Sequence, residues 1–184
     1  MFYGIDVREF GSGNAGATNT FRVLGQKAGI PVLITDIIKG TAAVALSYLS
    51  DLDQSAPEFI NFQLGLGVAS LIGHIFPVFA GFRGGKGVAT ILGIVVCILP
   101  LAWSLSLVVF LAVLFSTRIV SLSSMLGGVA FPIILTLVLH NTNPVLITFS
   151  IIVAAILIIT HRKNIKRLLK KQETKVKLFP VRNK

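Results

Sequence analysis

The residues with the clearest chemical character lie in a glycine-rich stretch near the start of the chain, residues 11–22. The stretch, Gly-Ser-Gly-Asn-Ala-Gly-Ala-Thr-Asn-Thr-Phe-Arg, combines three glycines with hydroxyl groups, two amides and an arginine. Glycine lets a backbone turn tightly and approach a ligand, and N–H groups, hydroxyls and a guanidinium bind phosphate or carboxylate. A flexible linker is the alternative, but a linker has no need of Asn14, Asn19 or Arg22. The stretch therefore predicts half of an anion site.

A second glycine-rich stretch, Gly-Phe-Arg-Gly-Gly-Lys-Gly-Val-Ala-Thr, covers residues 81–90. It resembles a nucleotide-binding phosphate loop, but Ala80 and Gly87 stand where that motif requires a glycine and a hydroxyl residue. What remains is a glycine turn with Lys86 that leads into a helix, whose first N–H groups and dipole favour an anion. The alternative is that Arg83 and Lys86 only anchor the turn at a membrane surface. The surrounding glycines favour the anion site.

Two further polar groups are weaker signals when each is taken alone. Ser124 belongs to a hydroxyl-rich helix start after Arg118, for which ordinary capping is the alternative. His161 and Asn164 are three residues apart and share a helix face, although a His at a helix end is more often a cap. These residues gain significance only in combination with the glycine-rich stretches.

The other ionisable residues within apolar sequence are assigned supporting roles. Asp36 and Lys39 are three residues apart, and we expect a mutually neutralising buried pair that braces the site. His74 is assigned to packing and His140 to an outer loop. No cluster has the spacing of metal ligands, so neither a metal nor a cofactor is predicted.

The composition places these residues in a membrane protein. Of the 184 residues, 54% are hydrophobic and 13% charged, and the mean hydropathy is +0.85; a soluble domain carries roughly 25% charged residues. The net charge is +10, and residues 161–184 hold ten of the seventeen Lys and Arg but one acid, Glu173. A basic tail after an apolar segment is typical of a cytoplasmic anchor facing anionic headgroups, and not of a nucleic-acid site.

The apolar segments predict an all-α, polytopic integral membrane protein with six transmembrane helices. A crossing needs roughly 20 apolar residues, and the long apolar run over 88–117 is divided by Pro100, which breaks a helix. The predicted helices cover about 30–49, 58–80, 86–98, 101–116, 122–139 and 144–160. We expect a single membrane-embedded domain over 1–184, with a cytoplasmic glycine-rich segment 1–29, helices within 30–160 and a basic cytoplasmic tail 161–184.

The distribution of charge orients these helices. With the basic tail inside, all the glycine-rich polar segments fall on the same face of the membrane. They are residues 11–22, 81–87, 118–124 and 161–164. Loops that only connect helices have no reason to share this chemistry, so we expect one site at the cytoplasmic face, assembled from four segments.

In their order along the chain, these motifs resemble the bacterial acyl-phosphate:glycerol-3-phosphate acyltransferases. The resemblance covers nearly the whole chain and rests on residues 11–19 with Arg22, Asp36-Ile-Ile-Lys-Gly40, Gly73-His-Ile-Phe-Pro-Val-Phe, Gly84-Gly-Lys-Gly-Val-Ala-Thr90 and His161-Arg-Lys-Asn164. It implies an enzyme of the bacterial plasma membrane that transfers a fatty acyl group from acyl phosphate to the 1-hydroxyl of glycerol 3-phosphate. The products are lysophosphatidic acid and phosphate. The implied partners are the lipid bilayer and an upstream enzyme that produces acyl phosphate.

The resemblance also implies roles for individual residues. The catalytic residues would be Ser12, Arg22, Lys86, His161 and Asn164. The substrate-binding residues would be Gly13, Asn14, Gly16, Thr18, Asn19, Gly84, Gly85, Gly87, Thr90 and Ser124. Either His161 or the departing phosphate could take the proton of the attacking hydroxyl, and the sequence leaves both open.

Two features depart from the family pattern. Family members resemble a seven-helix protein with a helix ahead of the first motif, and Gly11 lies so near Met1 that we expect this helix to be missing here. After the last helix the family has Gly-x-Glu, whereas Lys171-Gln-Glu173 retains only the acid. Glu173 is therefore left out of the predicted site.

Two other classes of protein compete with the enzyme. A transporter of a small phosphorylated anion would place its site near the midplane of the bilayer, between repeated halves, whereas the polar motifs here share one face and no repeat is evident. A scaffold for membrane enzymes would not need Arg22 or Lys86 within glycine-rich stretches. The motifs favour the acyltransferase.

Overall fold

The computed structural model describes residues 3–176, and every regular element in that range is helical. The α-helices are α1 (Ala17–Leu24), α2 (Gln26–Ala45), α3 (Pro57–Ile75), α4 (Val88–Ile98), α5 (Pro100–Thr117), α6 (Val120–Ile133), α7 (Pro144–Thr160) and α8 (Arg162–Leu169). Short 3-10 turns cover Val7–Glu9, Leu46–Leu49 and Val78–Ala80, and a π-helical turn covers Ile134–Val138. The helices form two compact units that adjoin in the sequence at Pro100 and Leu101.

In the first unit, α2 packs against α1, α3 and α4. The crossing of α2 and α4 is made close by two glycines: a Cβ on Gly40 would collide with the carbonyl oxygen of Thr90, and one on Gly93 with that of Ile37. The Thr41 hydroxyl donates to the Gly93 carbonyl across the crossing, at 3.2 Å. Small residues let helix backbones approach in a membrane, where packing replaces the hydrophobic effect.

In the second unit, α6 packs along α7. A Cβ on Gly128 would collide with the side chain of Leu157, so the helices again meet at a glycine. The start of α7 is defined by Asn143, whose Oδ1 accepts from the N–H groups of Val145 and Leu146 at 2.9 and 3.3 Å. An Asn cap followed by Pro144 is a strong helix start. The cap satisfies two backbone N–H groups, and the N–H that proline lacks would have no partner at the first helical position.

Four segments are long and apolar enough to cross a membrane, and a fifth qualifies if α7 and α8, bent by 59°, count as one. The four are Gln26–Leu49, Pro57–Ala80, Pro100–Thr117 and Val120–Val138. Helix α4 has 11 residues, which at ~1.5 Å each is about half of a ~30 Å hydrocarbon core. Helices therefore occur at all six predicted positions, but six crossings are not confirmed, and the single-domain assignment stays a prediction.

One helix was not expected from the sequence. Residues 17–24 form α1, so Thr18, Asn19 and Arg22 lie on a helix and not in a loop. Short polar residues between glycines look like loop sequence, but α1 packs against α2 through the ring of Phe21, which occupies the space where Gly29 has no side chain. Tertiary packing overrides the weak helix propensity of this segment.

Candidate functional site

The first glycine loop (residues 11–16) is organised by the amide of Asn19. Asn19 is 1% exposed, and its Oδ1 accepts from the backbone N–H and the hydroxyl of Ser12, at 2.8 and 3.0 Å. Its Nδ2 donates to the carbonyls of Val7 and Phe10, at 2.8 and 3.1 Å. Asn19, which lies after the loop on α1, is thus bonded to the segment before the loop and to Ser12 near its start, and it orients the Ser12 hydroxyl. Asn19 was predicted to bind substrate; what these four bonds show is that it shapes the loop.

Asn14 joins the first loop to the second glycine loop (residues 81–87). Its Oδ1 accepts from the N–H of Gly16 at 2.9 Å, which fixes the start of α1. Its Nδ2 donates to the carbonyl of Gly84 at 3.3 Å. The two glycine-rich stretches that the sequence singled out are therefore neighbours within the first unit.

The segment before the first loop also contacts the 3-10 turn Val78–Ala80, which precedes the second loop. The sequence had not indicated this contact. Arg8 donates from Nη1 to the carbonyl of Ala80 at 2.6 Å, and its Nε donates to Asp6 at 2.9 Å. The side-chain hydrogen bond from Arg8 lowers the pKa of Asp6 to about 2. An acid and a base two residues apart are too common in sequences to have indicated this contact.

The second glycine loop lies on the last turn of α3. The N–H groups of Gly84 and Gly85 donate to the carbonyls of Ile75 and His74, each at 3.2 Å. A Cβ on Gly84 would collide with the His74 carbonyl and one on Gly85 with the His74 ring, so the backbone can approach this closely only without side chains. His74, assigned to packing from the sequence, therefore supports this loop through both its main chain and its side chain.

The second loop ends where α4 begins. Gly87 has φ +83°, a conformation that favours glycine, and its carbonyl accepts from Ile91 at 2.7 Å. The first N–H groups of any α-helix have no partner within the helix, and they carry its positive dipole. Lys86 precedes this terminus and is half-buried. The arrangement provides N–H donors and a cation for an anion.

Three predicted residues on helices occupy different environments. Thr18 and Arg22 are exposed on α1, and they are four residues apart on one face. Thr90 is fully buried at the crossing of α2 and α4, and its hydroxyl makes no hydrogen bond within the described residues. Of the remaining predicted glycines, Gly13 is exposed and Gly16 is half-buried.

In the second unit, the structure places His161 and Asn164 together at the junction of α7 and α8. They are 2% and 4% exposed, and the Asn164 N–H donates to the His161 carbonyl at 2.8 Å. The His161 Nδ1 lies 2.7 Å from the Leu157 carbonyl. Because a carbonyl only accepts, this contact assigns the proton to Nδ1 in the neutral ring and makes Nε2 the basic nitrogen.

Glu173, which was left out of the predicted site, is bonded to Asn164. Its carboxylate accepts from Asn164 Nδ2 at 2.7 Å, Ser121 Oγ at 3.0 Å and Arg167 Nε at 2.8 Å. Burial by itself raises the pKa of this carboxyl, but the hydrogen bonds from Arg167, Asn164 and Ser121 outweigh it and lower the pKa. The signal available in the sequence was the lone acid among ten basic residues.

The remaining residues of the second unit lie near the start of α6. Ser124 is buried and its hydroxyl donates to the Val120 carbonyl of its own helix at 2.9 Å. Arg118 has φ +61° at the turn before α6, and its carbonyl accepts from the N–H of Val176 at 2.8 Å. The tail therefore returns to this turn, and residues 177–184 lie outside the described range.

The predicted pair of Asp36 and Lys39 is confirmed, but it is not a buried pair. Lys39 Nζ lies 3.2 Å from Asp36 Oδ1, and their side chains are 47% and 9% exposed. The same carboxylate oxygen lies 3.3 Å from Nδ1 of His74. Within residues 3–176, no three His, Cys, Asp or Glu side chains are grouped so that they could hold a metal ion.

Comparison with known proteins decides the family. The sequence model described as Glycerol-3-phosphate acyltransferase matches residues 1–171. The chain belongs to the glycerol-3-phosphate acyltransferase family. The family expected from the motifs is therefore confirmed.

Relatives and solved structures agree with this assignment. A glycerol-3-phosphate acyltransferase of Bacillus velezensis is 48% identical over 176 residues, which cover 96% of this chain and 86% of the relative. A Bacillus cytotoxicus protein of the same name is 46% identical over 173 residues, covering 94% and 82%. The crystal structure of PlsY, an integral membrane glycerol 3-phosphate acyltransferase, in its glycerol 3-phosphate form has a TM-score of 0.84 at 35% identity, covering 96% and 84%. With its apolar helices, this member of the family is a multi-pass membrane protein.

Proposed function

We propose that this protein transfers a fatty acyl group from acyl phosphate to the 1-hydroxyl of glycerol 3-phosphate. The family match over residues 1–171 carries the proposal, and it makes the chain a glycerol-3-phosphate acyltransferase. The products are lysophosphatidic acid and inorganic phosphate. The PlsY neighbours were solved in forms named for glycerol 3-phosphate and lysophosphatidic acid, which supports the acceptor and the product.

The two glycine loops are assigned to the phosphate groups of the substrates. Both substrates carry a phosphate, and the first unit joins two backbone loops through Asn14, with Lys86 and the start of α4 beside them. The proposed phosphate-binding residues are Gly13, Asn14, Gly16, Thr18, Gly84, Gly85, Gly87 and Thr90, with Asn19 as the residue that shapes the first loop. Ser12 and Arg22 supply a hydroxyl and a guanidinium, and Ser124 of the second unit assists.

The chemistry needs little more than positioning. The glycerol 3-phosphate oxygen forms a bond to the acyl carbonyl carbon, the bond from that carbon to the phosphate oxygen breaks, and phosphate departs with the bonding electron pair. Acyl phosphate is an activated donor, so alignment of the reactants and neutralisation of charge by Arg22 and Lys86 supply most of the acceleration.

The hydroxyl proton has two proposed acceptors. One is Nε2 of His161, which is the basic nitrogen because Nδ1 donates to the Leu157 carbonyl. The other is the departing phosphate, whose second pKa is about 6 in phosphate esters. Asn164, held by Glu173, completes the catalytic set of the second unit.

The orientation that we propose for the protein in the membrane rests on the distribution of charge along the chain. We place these loops at the cytoplasmic face of a bacterial plasma membrane, because the basic tail favours that side. The acyl chain enters from the bilayer, and a separate enzyme that makes acyl phosphate supplies the donor.

The donor assignment is tested with purified full-length protein in lipid nanodiscs. Glycerol 3-phosphate is offered with either palmitoyl phosphate or palmitoyl-CoA, and lysophosphatidic acid is measured by mass spectrometry. We expect product only with the acyl phosphate. Product only with the thioester, or with neither donor, contradicts the assignment. Uptake of glycerol 3-phosphate into proteoliposomes without any donor would support a transporter instead.

The residue assignments are tested by three substitutions, Ser12→Ala, Arg22→Ala and Lys86→Ala. Each should lower kcat/KM at least about a hundredfold while membrane insertion is retained, because each removes a group placed at developing or transferred charge. Lys27→Ala and Ser116→Ala are the matched controls, since both side chains are exposed and outside the loops. Near-wild-type rates in all three variants would refute the assignment.

A further inference from the structure

The imidazole of His74, at the C-terminal end of α3, is in contact with two other parts of the first unit. Its Nδ1 lies 3.3 Å from Oδ1 of Asp36 on α2. Its Nε2 lies against the backbone of Gly85, because a Cβ added to Gly85 would overlap that atom. The side chains of His74 and Asp36 are only 8% and 9% exposed. One ring therefore touches a carboxylate with one nitrogen and the second glycine loop with the other.

The main chain of the same helical turn is bonded to the loop as well. The carbonyls of His74 and Ile75 accept from the N–H groups of Gly85 and Gly84, each at 3.2 Å. These bonds hold the loop against the end of α3, and the His74 ring limits how closely the backbone of Gly85 can approach that helix. A change in ring orientation would therefore displace Gly85 and, with it, the adjoining Lys86.

Packing alone does not explain this arrangement. A buried carboxylate among apolar helices costs several kcal/mol unless it is paired, and Lys39 already neutralises Asp36 at 3.2 Å. If His74 served only to fill space, an apolar ring would do so equally well and would need no carboxylate beside it. What the carboxylate adds is orientation, because a ring nitrogen bonded to a carboxylate holds the imidazole in one orientation.

We propose that Asp36 and His74 are positioning residues that hold the second glycine loop in its phosphate-binding geometry. Asp36 orients the imidazole, and the imidazole sets the distance between α3 and the backbone of Gly85. Neither residue touches substrate. The inference rests on the proposed function, because it requires that this loop binds a substrate phosphate.

The test separates binding from chemistry. His74→Phe keeps a planar ring without nitrogens, Asp36→Leu removes the carboxylate, and Asp36→Asn keeps an oxygen that can accept from Nδ1. We expect the first two to raise the KM of a phosphate-bearing substrate about tenfold, with kcat lowered less than about threefold. Asp36→Asn should restore most of the affinity. The Asp36→Leu/His74→Phe double variant should be no worse than His74→Phe, because both act through one ring.

The control is His140→Phe, an exposed imidazole of the second unit, which should leave both KM values unchanged. Wild-type KM values in folded His74→Phe and Asp36→Leu overturn the proposal, even if the thermal midpoint falls, because that pattern indicates packing alone. If His74→Phe fails to fold, Gly85→Ala decides, since its methyl group displaces the loop from the same ring. An unchanged KM in Gly85→Ala would then overturn the proposal.

Equilibrium binding of radiolabelled inorganic phosphate, measured in parallel, distinguishes failure of this inference from failure of the proposed function. A wild-type protein that binds phosphate without transferring acyl groups would refute the proposed function alone. In that case, about tenfold weaker phosphate binding by His74→Phe still supports the positioning role. Equal binding by His74→Phe and wild type refutes it.

Discussion

The first glycine loop folds around a side chain, whereas the second folds against a helix. The amide of Asn19 makes four hydrogen bonds to the first loop and to the segment before it. The second loop is bonded by backbone to the end of α3, where Gly84 and Gly85 are too close for any side chain. Two stretches of similar composition are thus held differently: the first by one amide, against which Gly11 leaves no room for a side chain, and the second by the end of α3, against which Gly84 and Gly85 leave none. The first should fail when atoms are removed and the second when atoms are added.

The largest effect is expected from adding a methyl group to the second loop. In Gly84→Ala, the new Cβ would collide with the His74 carbonyl and lie 2.6 Å from Pro77 Cδ and 2.7 Å from the Ile75 carbonyl. Backbone on one side cannot give way, so the loop must shift, and a shift of ~1 Å near reacting groups costs about a hundredfold in rate. The measurement is kcat/KM in nanodiscs. Gly73→Ala, which meets nothing within 4 Å, is the control, and similar rates in both variants would contradict the comparison.

The complementary change removes atoms from the first loop. Asn19→Ala leaves Ser12 without its acceptor and the carbonyls of Val7 and Phe10 without a donor. A buried polar group left unsatisfied costs about 2 kcal/mol, which corresponds to about a thirtyfold loss of activity if the loop opens. The assay is the same, with limited proteolysis to detect the opened loop. Gln26→Ala, an exposed amide, should behave as wild type, and an active, protease-resistant Asn19→Ala would show that the amide is dispensable.

The second unit uses a third device, because there the negative charge of one carboxylate holds the neighbouring polar side chains. Glu173→Gln removes the negative charge that Arg167, Asn164 and Ser121 face. We expect a thermal midpoint lower by about 3 °C at pH 7, from about 1 kcal/mol. Asp51→Asn, an exposed acid, is the control for loss of charge alone.

The difference in thermal midpoint between wild type and Glu173→Gln should depend on pH, in a direction that the pKa of Glu173 determines. The pKa of Glu173 is lowered from its ordinary value of 4.5, so the folded state favours the ionised carboxyl. The stabilisation is therefore complete above about pH 4.5 and is lost as the pH falls through the lower folded value. Thermal melts of wild type and Glu173→Gln should converge in that acidic range. A gap that persists unchanged through that range would show that the charge is not its cause.

The smallest effect is expected at the bond that joins the two loops. Asn14→Ala removes a 3.3 Å hydrogen bond to the Gly84 carbonyl and the cap on Gly16. Half-exposed hydrogen bonds of this length contribute little, about 0.5–1 kcal/mol, so activity should fall about threefold. Asn14→Ser keeps an oxygen that can accept from the Gly16 N–H, loses the bridge to Gly84 and adds no charge, so kcat/KM measured for both variants separates the two contributions. A loss as large as that of Gly84→Ala would contradict this ranking and would make Asn14 a major contributor to phosphate binding.

The sequence by itself determined the helical membrane architecture, the two glycine loops and the family. These are properties of apolar length, charge distribution and ordered motifs, which do not depend on how helices pack. The helix start at Asn143 and Pro144 could likewise be read locally, because a cap acts within one turn of chain.

Only the tertiary structure decided what holds each polar group in place. The contacts of Asp36 with His74, of Asn14 with Gly84 and of Glu173 with Ser121 join residues that are 38, 70 and 52 positions apart. No local pattern encodes such pairs, since each side chain is ordinary in its own segment. They form because the helices bring these side chains close together in surroundings with little water, where a polar group that has no partner is costly.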